Sequence, residues 1–226
     1  MKLGVLLAVL SLHPACAISP GIAVRNRTTS ISDDQLRSIV GAVQVQVDRD
    51  FYPIWLTRAD IRFVDSDSDV GTMWQVSVVD AVPGGFQESE HSFDIAAGKP
   101  FATVYATTNH PLSTAISHEI LEMLANPWLG RASVVADSSP GVLFDVVYVE
   151  VCDPVAWYTY PVDPEHGDFT QVSDFVMPAW FAPALPENQQ DQIPVPKKWT
   201  FAGALFGPMS TNGQGTFSKV AVTATR

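Results

Sequence analysis

The sequence predicts an α+β fold, in which a mixed twisted sheet carries two main helices and precedes an irregular C-terminal half. Two segments have the apolar spacing of helices, one beginning near residue 33 and one at residue 112, and β-branched runs lie between them. From residue 154 onward, proline, glycine and aromatic residues dominate, which is typical of loops and short elements. A chain of 226 residues is long enough for one sizeable core. We therefore expect a single domain over residues 18–226.

The first elements are a short strand over residues 21–25 and a helix with a well-marked start. Ser32 and Gln35 have the spacing of a capping box, in which each side chain satisfies a free backbone N–H of the first helical turn. Apolar residues then recur at helical spacing as far as Phe51. Pro53 cannot donate a backbone hydrogen bond, so we expect the helix to end there.

Five further runs of apolar and β-branched residues are typical of strands. They cover residues 61–64, 74–79, 101–106, 134–136 and 142–151. The stretch over residues 183–196 is rich in proline and glutamine, and we interpret it as a long surface loop. No segment has the composition expected of a linker between two domains.

The charge of the chain limits its partners. Lys and Arg number 13 and Asp and Glu number 24, which gives a formal net charge of −11. Such an acidic protein repels phosphate groups, so we expect neither nucleic acid nor an anionic membrane as a partner. Beyond the N-terminal segment no apolar run is long enough to span a bilayer, so no membrane span is predicted.

The N-terminal segment has the features of a secretory signal peptide over residues 1–17. Lys2 precedes an apolar run of about ten residues, which is too short to cross a membrane. Ala15-Cys16-Ala17 has the small-x-small pattern of a signal-peptidase site. We therefore expect a secreted protein. Its only remaining cysteine would be Cys152, which leaves no intramolecular disulfide.

Residues 112–125 (LSTAISHEILEMLA) predict a helix that is buried and yet carries ionisable side chains. Apolar residues cover most of its circumference, as in a helix buried in a core. Ionisable groups there are costly unless they are paired or bind a metal. His118 and Glu122 project from one face, one turn apart, so both can reach one ion. Glu119 lies next to His118, where it can act on a water molecule beside that ion.

This helix resembles the active-site helix of the zincin metallopeptidases, whose motif is H-E-x-x-H. Residues 118–122 read HEILE, so a glutamate stands where the family has its second histidine. The resemblance implies a zincin-like domain and a divalent metal, of which zinc is the expected ion. It also implies that His118 is the first ligand and Glu119 the general base. Glu122 then supplies a carboxylate at the second ligand position, which zinc accepts.

Four segments are also similar to a family of uncharacterised bacterial and viral proteins described as metallopeptidase-like. They are residues 43–55, 117–128, 149–155 and 172–181. This resemblance implies that the four segments belong to one fold, and it transfers no catalytic residue.

A metal site needs more than two protein ligands, and several residues downstream are candidates for the third. Glu150 interrupts an apolar run and is the first choice. Asp153 is the second choice, either as a ligand or as an acceptor that orients His118. Asp174 is a further possibility. Cys152 can also bind zinc, although a lone cysteine is more typically a small buried hydrophobic residue.

The residues together predict a metal-dependent hydrolase that cleaves a peptide or protein substrate. A divalent metal would activate a water molecule, and Glu119 would accept its proton. The alternative is a catalytically inactive zincin-like scaffold that acts as a binding protein or as a structural, particle-associated component. The two hypotheses differ in whether a bound metal keeps an open coordination position.

Overall fold

The structure is a computed structural model that describes residues 19–81, 89–106, 111–135, 145–162, 170–181 and 201. The predicted signal peptide over residues 1–17 and the predicted loop over residues 183–196 lie outside the described residues. Within the described part, no helix has the length and apolar character needed to cross a membrane.

A five-stranded mixed sheet forms the centre of the protein, with strand order β2-β1-β3-β5-β4. Four strands are parallel, and β4 runs antiparallel to β5 at one edge. The strands are β1 (Gly21–Arg27), β2 (Asp60–Val64), β3 (Trp74–Val79), β4 (Glu90–Asp94) and β5 (Lys99–Tyr105). The four parallel strands confirm the predicted runs, with ends that differ by at most two residues.

Strand β4 is absent from the sequence-based expectation. Its sequence, EHSFD, has no run of apolar residues, because an edge strand presents one side to solvent and needs few of them. His91 of β4 is directly opposite Ala102 of β5, and Ala102 belongs to the core. The side chain of His91 is therefore on the face of the sheet that packs against the helices.

The first helix starts as predicted but does not end at Pro53. Helix α1 (Asp33–Gln46) begins with the complete capping box of Ser32 and Gln35. A π-helical turn over Val47–Phe51 then leads directly into the short helix α2 (Tyr52–Trp55). Pro53 lies in the first turn of α2, where a missing N–H costs little, and the chain leaves the helix only at Leu56, which has φ of 57°.

Helix α3 (Leu112–Ala125) has the predicted bounds and packs on the same face of the sheet as α1. Its side chains are buried almost without exception. The core between helices and sheet is apolar, with Leu36 and Val43 from α1, Ile120 from α3, and Val76 and Val104 from the sheet. This packing confirms the expected mixed sheet with two main helices.

The second half of the chain contains two small antiparallel strand pairs. Strands β6 (Ala132–Val135) and β7 (Asp145–Tyr148) form one pair, and β8 (Thr159–Val162) and β9 (Thr170–Ser173) form the other. The pair β8–β9 was not expected from the sequence, in which this half reads as irregular. Strand β9 packs against α3, so the second half of the chain covers the helix that carries the predicted ligands.

A buried polar network joins α1, α3 and the pair β8–β9. The Gln46 amide donates to the Tyr160 hydroxyl at 3.0 Å and to the Ser173 carbonyl at 2.8 Å. The Ser117 hydroxyl donates to the Gln46 side-chain oxygen at 2.7 Å. The Ser117 hydroxyl also accepts a hydrogen bond from the Ser173 backbone N–H at 3.0 Å, so this network connects α3 to α1 and β9.

Candidate metal centre

Two histidines and four carboxylates from three parts of the chain converge beside α3. Strand β4 contributes one histidine, α3 contributes a histidine and two glutamates, and the segment after β7 contributes two carboxylates. The six residues, here called the cluster, are His91, His118, Glu119, Glu122, Glu150 and Asp153. The structure therefore brings together all five residues predicted for the site and adds His91.

Helix α3 sets the positions of its three cluster residues. His118 and Glu122 are one turn apart, and His118 Nε2 lies 3.3 Å from Glu122 Oε2. The Glu119 and Glu122 side chains are 4% and 5% exposed, whereas the His118 side chain is 17% exposed. The helix thus presents two buried carboxylates and one imidazole at the edge of solvent.

The first group of possible ligands consists of His118, Glu122 and Asp153. His118 Nε2 lies 3.4 Å from Asp153 Oδ1, in addition to its contact with Glu122. Two ligand atoms of a tetrahedral zinc ion, each about 2.0–2.1 Å from the metal, are about 3.3–3.4 Å apart. The separations therefore match those of ligands around one ion. The same contact also suits the alternative in which Asp153 only orients His118.

The second group of possible ligands consists of His91, Glu122 and Glu150. His91 Nδ1 lies 3.6 Å from Glu122 Oε2 and 3.7 Å from Glu119 Oε2. The other ring nitrogen, Nε2, lies 3.5 Å from Glu150 Oε2. Glu150 and Asp153 were both candidates for the third ligand of a single ion. In the structure they belong to two different groups, which share Glu122.

Glu122 is held in place by the backbone after β7. Its Oε1 accepts hydrogen bonds from the backbone N–H groups of Cys152 at 3.0 Å and Asp153 at 3.2 Å. The other oxygen, Oε2, faces His91 and His118. One oxygen of Glu122 therefore fixes the loop to the helix, and the other is oriented toward both imidazoles.

The sequence gives little indication of His91. It is in a short polar strand, it is separated from His118 by 26 intervening residues, and no motif connects the two. The one usable signal is the spacing of His91 and Phe93, which places an ionisable residue and an aromatic residue on one face of a strand. Without the pairing of β4 with β5, that face cannot be assigned to the core.

Both histidines have a raised pKa when no metal is bound. Burial lowers the pKa of His118, but the charge of Glu122 and the contact with Asp153 outweigh it, so that its pKa lies well above the usual value. Burial also lowers the pKa of His91, and the nearby glutamates Glu119, Glu122 and Glu150 raise it above its usual value. Protons and metal ions therefore compete for the same nitrogens.

The glutamates have different proton affinities because their neighbours differ. Burial and the charge of Glu122 raise the pKa of Glu150 to about 8. Burial raises the pKa of Glu119, and the contact with His91 offsets only part of this effect. Burial also acts on Glu122, but the charge of His118 and the backbone hydrogen bonds lower its pKa. Of the three glutamates, Glu122 thus stays ionised most readily.

The two remaining ligand candidates, Cys152 and Asp174, are buried, and neither belongs to the two ligand groups among the described residues. The Cys152 Sγ contacts the backbone carbonyl of His118 at 3.8 Å, and burial raises the pKa of its thiol well above the usual value. This environment fits the expectation of a small buried hydrophobic residue. Asp174 accepts a hydrogen bond from the backbone N–H of Phe175 at 2.9 Å.

A cavity of about 460 Å³ lies away from the cluster. Its lining includes Gln75, Ser77 and Phe101, which alternate along β3 and β5 with residues that face the helices. The cavity is therefore on the opposite face of the sheet. Its position separates it from all the ionisable groups of the cluster.

Comparison of the chain with protein-family models, with curated proteins and with solved structures gives no match. The function is therefore inferred from the geometry and chemistry of the cluster.

Proposed function

We propose that the protein is a metal-dependent hydrolase with a zincin-like domain over residues 18–226 and that it cleaves peptide bonds. In this proposal His118, Glu122 and Asp153 hold a divalent cation, zinc in the first instance, and Glu119 is the general base. The observation that carries the proposal is the convergence of Glu122 and Asp153 on His118 Nε2, at 3.3 and 3.4 Å. The side chain of Asp153 is 39% exposed, which leaves this position open to solvent and substrate.

The order of elements supports the zincin-like assignment. A strand, a helix, further strands and a strand directly before α3 follow one another along the chain, as the resemblance of the HEILE segment implies. The departure from the family pattern is Glu122. Its carboxylate gives a ligand set of one imidazole and two carboxylates, which also suits manganese and iron, so zinc is the first of several ions to test.

A divalent cation held by His118, Glu122 and Asp153 would supply a Lewis acid that polarises a scissile carbonyl and makes water easier to deprotonate. Glu119 would accept a proton from a water molecule whose oxygen forms a bond to the carbonyl carbon. When the carbon–nitrogen bond breaks, Glu119 would return the proton to the leaving nitrogen. Burial raises the pKa of Glu119 toward neutral pH. A carboxylate with such a pKa can both accept and return a proton near neutral pH, which favours this exchange.

The position of β4 supports a peptide as the substrate. Among the described strands β4 pairs only with β5, so its other edge presents backbone N–H and C=O groups. An extended peptide can add to such an edge by main-chain hydrogen bonds. Because His91 of β4 contacts Glu119 and Glu122, a peptide on this edge would pass next to the cluster.

Two substitutions in α3 test the proposal. His118→Ala removes a ligand, so metal content and cleavage of an unfolded protein substrate should fall together. Glu119→Gln keeps the side-chain shape but cannot accept a proton, so metal should remain while cleavage falls about 10²–10⁴-fold. Glu90→Gln is the matched control, because Glu90 is an exposed glutamate of β4 outside both ligand groups. Full cleavage by Glu119→Gln would refute the role of Glu119.

The inactive scaffold is the second candidate, and the burial of Glu119 favours it. The Glu119 side chain is 4% exposed and its Oε2 faces His91, so in this alternative Glu119 balances charge and accepts no proton from water. In that case the wild-type protein would bind metal and cleave no unfolded substrate. The same assay therefore decides between the two candidates.

A further inference from the structure

His91 has a feature that the proposed hydrolytic site does not use. Its side chain is 5% exposed, and its Nε2 is buried without a hydrogen-bond partner among the described residues. The nearby Glu150 Oε2 is buried and likewise without a hydrogen-bond partner there. The two atoms face each other at 3.5 Å. A buried imidazole nitrogen and carboxylate oxygen that face each other in this way are suited to hold a shared cation.

Glu119 prepares His91 for such a role. His91 Nδ1 is the ring nitrogen nearest to Glu119, at 3.7 Å, so its proton can be directed toward that carboxylate. Nε2 then has its lone pair free and oriented toward Glu150. A histidine that binds a metal generally directs its other ring N–H to a carboxylate in this manner, which fixes the ring orientation.

Glu122 connects this position to the one at His118. Its Oε1 is occupied by the backbone N–H groups of Cys152 and Asp153, so only Oε2 is available to a cation. That oxygen lies 3.3 Å from His118 Nε2. Glu122 also belongs to the group with His91 and Glu150, whose ligand atoms all lie within 4.8 Å of one another. A carboxylate shared by both ligand groups has the placement of a bridging ligand.

The charge of the fully ionised cluster matches two divalent cations. Its four carboxylates lie around two imidazoles in a mostly buried region. With neutral imidazoles and ionised carboxylates, one divalent ion would leave two negative charges uncompensated there, which is costly. Two divalent ions would balance the four negative charges.

We propose that His91, Glu122 and Glu150 bind a second divalent cation and that Glu122 bridges the two ions. The inference rests on the first ion position proposed above, at His118, Glu122 and Asp153. Imidazoles and carboxylates are also the donors that hold pairs of iron or manganese ions in some helical bundles. Pairs of ions in hydrolytic sites lie about 3.5–4 Å apart and stabilise both the attacking and the leaving group.

Stoichiometric titration of the metal-free, full-length protein with Mn²⁺ tests the second position. Electron paramagnetic resonance counts the free ion and detects magnetic coupling between bound ions. The wild-type protein should bind two ions per chain with a coupled signal. His91→Ala and Glu150→Gln should each bind one ion with an uncoupled signal. Glu150→Gln keeps the test valid if His91→Ala does not fold, since Glu150 is at a partly exposed position after β7.

Ser92→Ala is the matched control for His91→Ala, because Ser92 is the next residue of β4 and its side chain is on the other face of the sheet. It should bind two ions with the wild-type signal. Two bound ions in both His91→Ala and Glu150→Gln would overturn the second position. If the wild-type protein binds two ions without magnetic coupling between them, the proposal that Glu122 bridges the ions is refuted.

The variant at His118 separates this inference from the proposed hydrolytic site. His118→Ala should bind one ion, at the His91 position. If the wild type binds one ion that His91→Ala retains and His118→Ala loses, the second position is refuted and the hydrolytic proposal stays intact. If His91→Ala instead loses the single ion and His118→Ala retains it, the first position is refuted, and with it the bridge. A wild-type protein that binds no ion would refute both.

Discussion

Glu122 has two separable roles, and substitutions to glutamine and alanine should distinguish them in the metal-free protein. Its Oε1 accepts hydrogen bonds from two backbone N–H groups, those of Cys152 and Asp153, and its Oε2 faces the two histidines. Glu122→Gln retains one oxygen that can accept both backbone hydrogen bonds. Glu122→Ala leaves both N–H groups in a buried region without that acceptor.

The expected cost follows from the number of unsatisfied groups. Each buried donor that loses its partner costs about 1–3 kcal/mol, so Glu122→Ala should lower the free energy of unfolding by about 2–6 kcal/mol. Glu122→Gln should cost clearly less, because His118 keeps its contact with Asp153 and His91 keeps its contacts with Glu119 and Glu150. Both variants should bind metal far more weakly than the wild type.

Urea denaturation in the presence of a chelator, followed by circular dichroism, measures these differences. Asp60→Asn serves as a control, because Asp60 is an exposed carboxylate on β2 that pairs with Arg62 outside the cluster. It should leave both stability and metal binding close to wild type. Equal destabilisation by Glu122→Gln and Glu122→Ala would refute the argument that the backbone hydrogen bonds of Oε1 hold the loop.

Three further predictions concern pH, the buried network and processing. The pKa of Glu150 is raised from 4.5 to about 8, so between these pH values the folded state retains a proton that the unfolded state loses. The metal-free protein should therefore lose stability as pH rises from about 4.5 to about 8. Glu150→Gln should flatten this slope in denaturation midpoints measured across that range, and an unchanged slope would argue against it. Gln46→Ala removes the partner of the Ser117 hydroxyl and the donor to the Ser173 carbonyl. Calorimetry should therefore show that the free energy of unfolding falls by about 2 kcal/mol or more. The folded variant should still bind metal. We also propose secretion, so N-terminal sequencing of protein from its natural source should begin at Ile18, whereas an abundant form beginning at Met1 would contradict it.

The elements that are predictable from the sequence are those with strong local signals. The bounds of α3 are correct because a continuous apolar pattern fills it and Asn126-Pro127 limits its end. The capping box of Ser32 and Gln35 likewise identifies the start of α1. These signals depend on residues that are close together along the chain, so no tertiary information is needed to interpret them.

The elements that were missed depend on tertiary contacts. Strand β4 is defined by its pairing with β5, and its polar sequence carries no signal of its own. Pro53 was expected to end a helix, but the π-helical turn before it shifts the hydrogen-bonding pattern and lets the helical path continue. Strands β8 and β9 are similarly defined by each other and by α3.

The site shows the same division between local and tertiary information. The i, i+4 spacing of His118 and Glu122 predicts that they face one another, and they do. Glu150 and Asp153 were alternatives for one position, because the sequence contains no indication of a second histidine nearby. Only the pairing of β4 with β5 brings His91 to Glu122 and gives each of the two carboxylates a histidine of its own.

The central claim is that the cluster around Glu122 binds divalent metal, and elemental mass spectrometry of the purified protein tests it most directly. The wild-type protein and Asp60→Asn should contain at least one divalent ion per chain, and Glu122→Gln, folded by circular dichroism, should contain little. Equal metal content in the wild type and Glu122→Gln, or a wild-type protein that neither contains nor takes up divalent metal, would contradict the account.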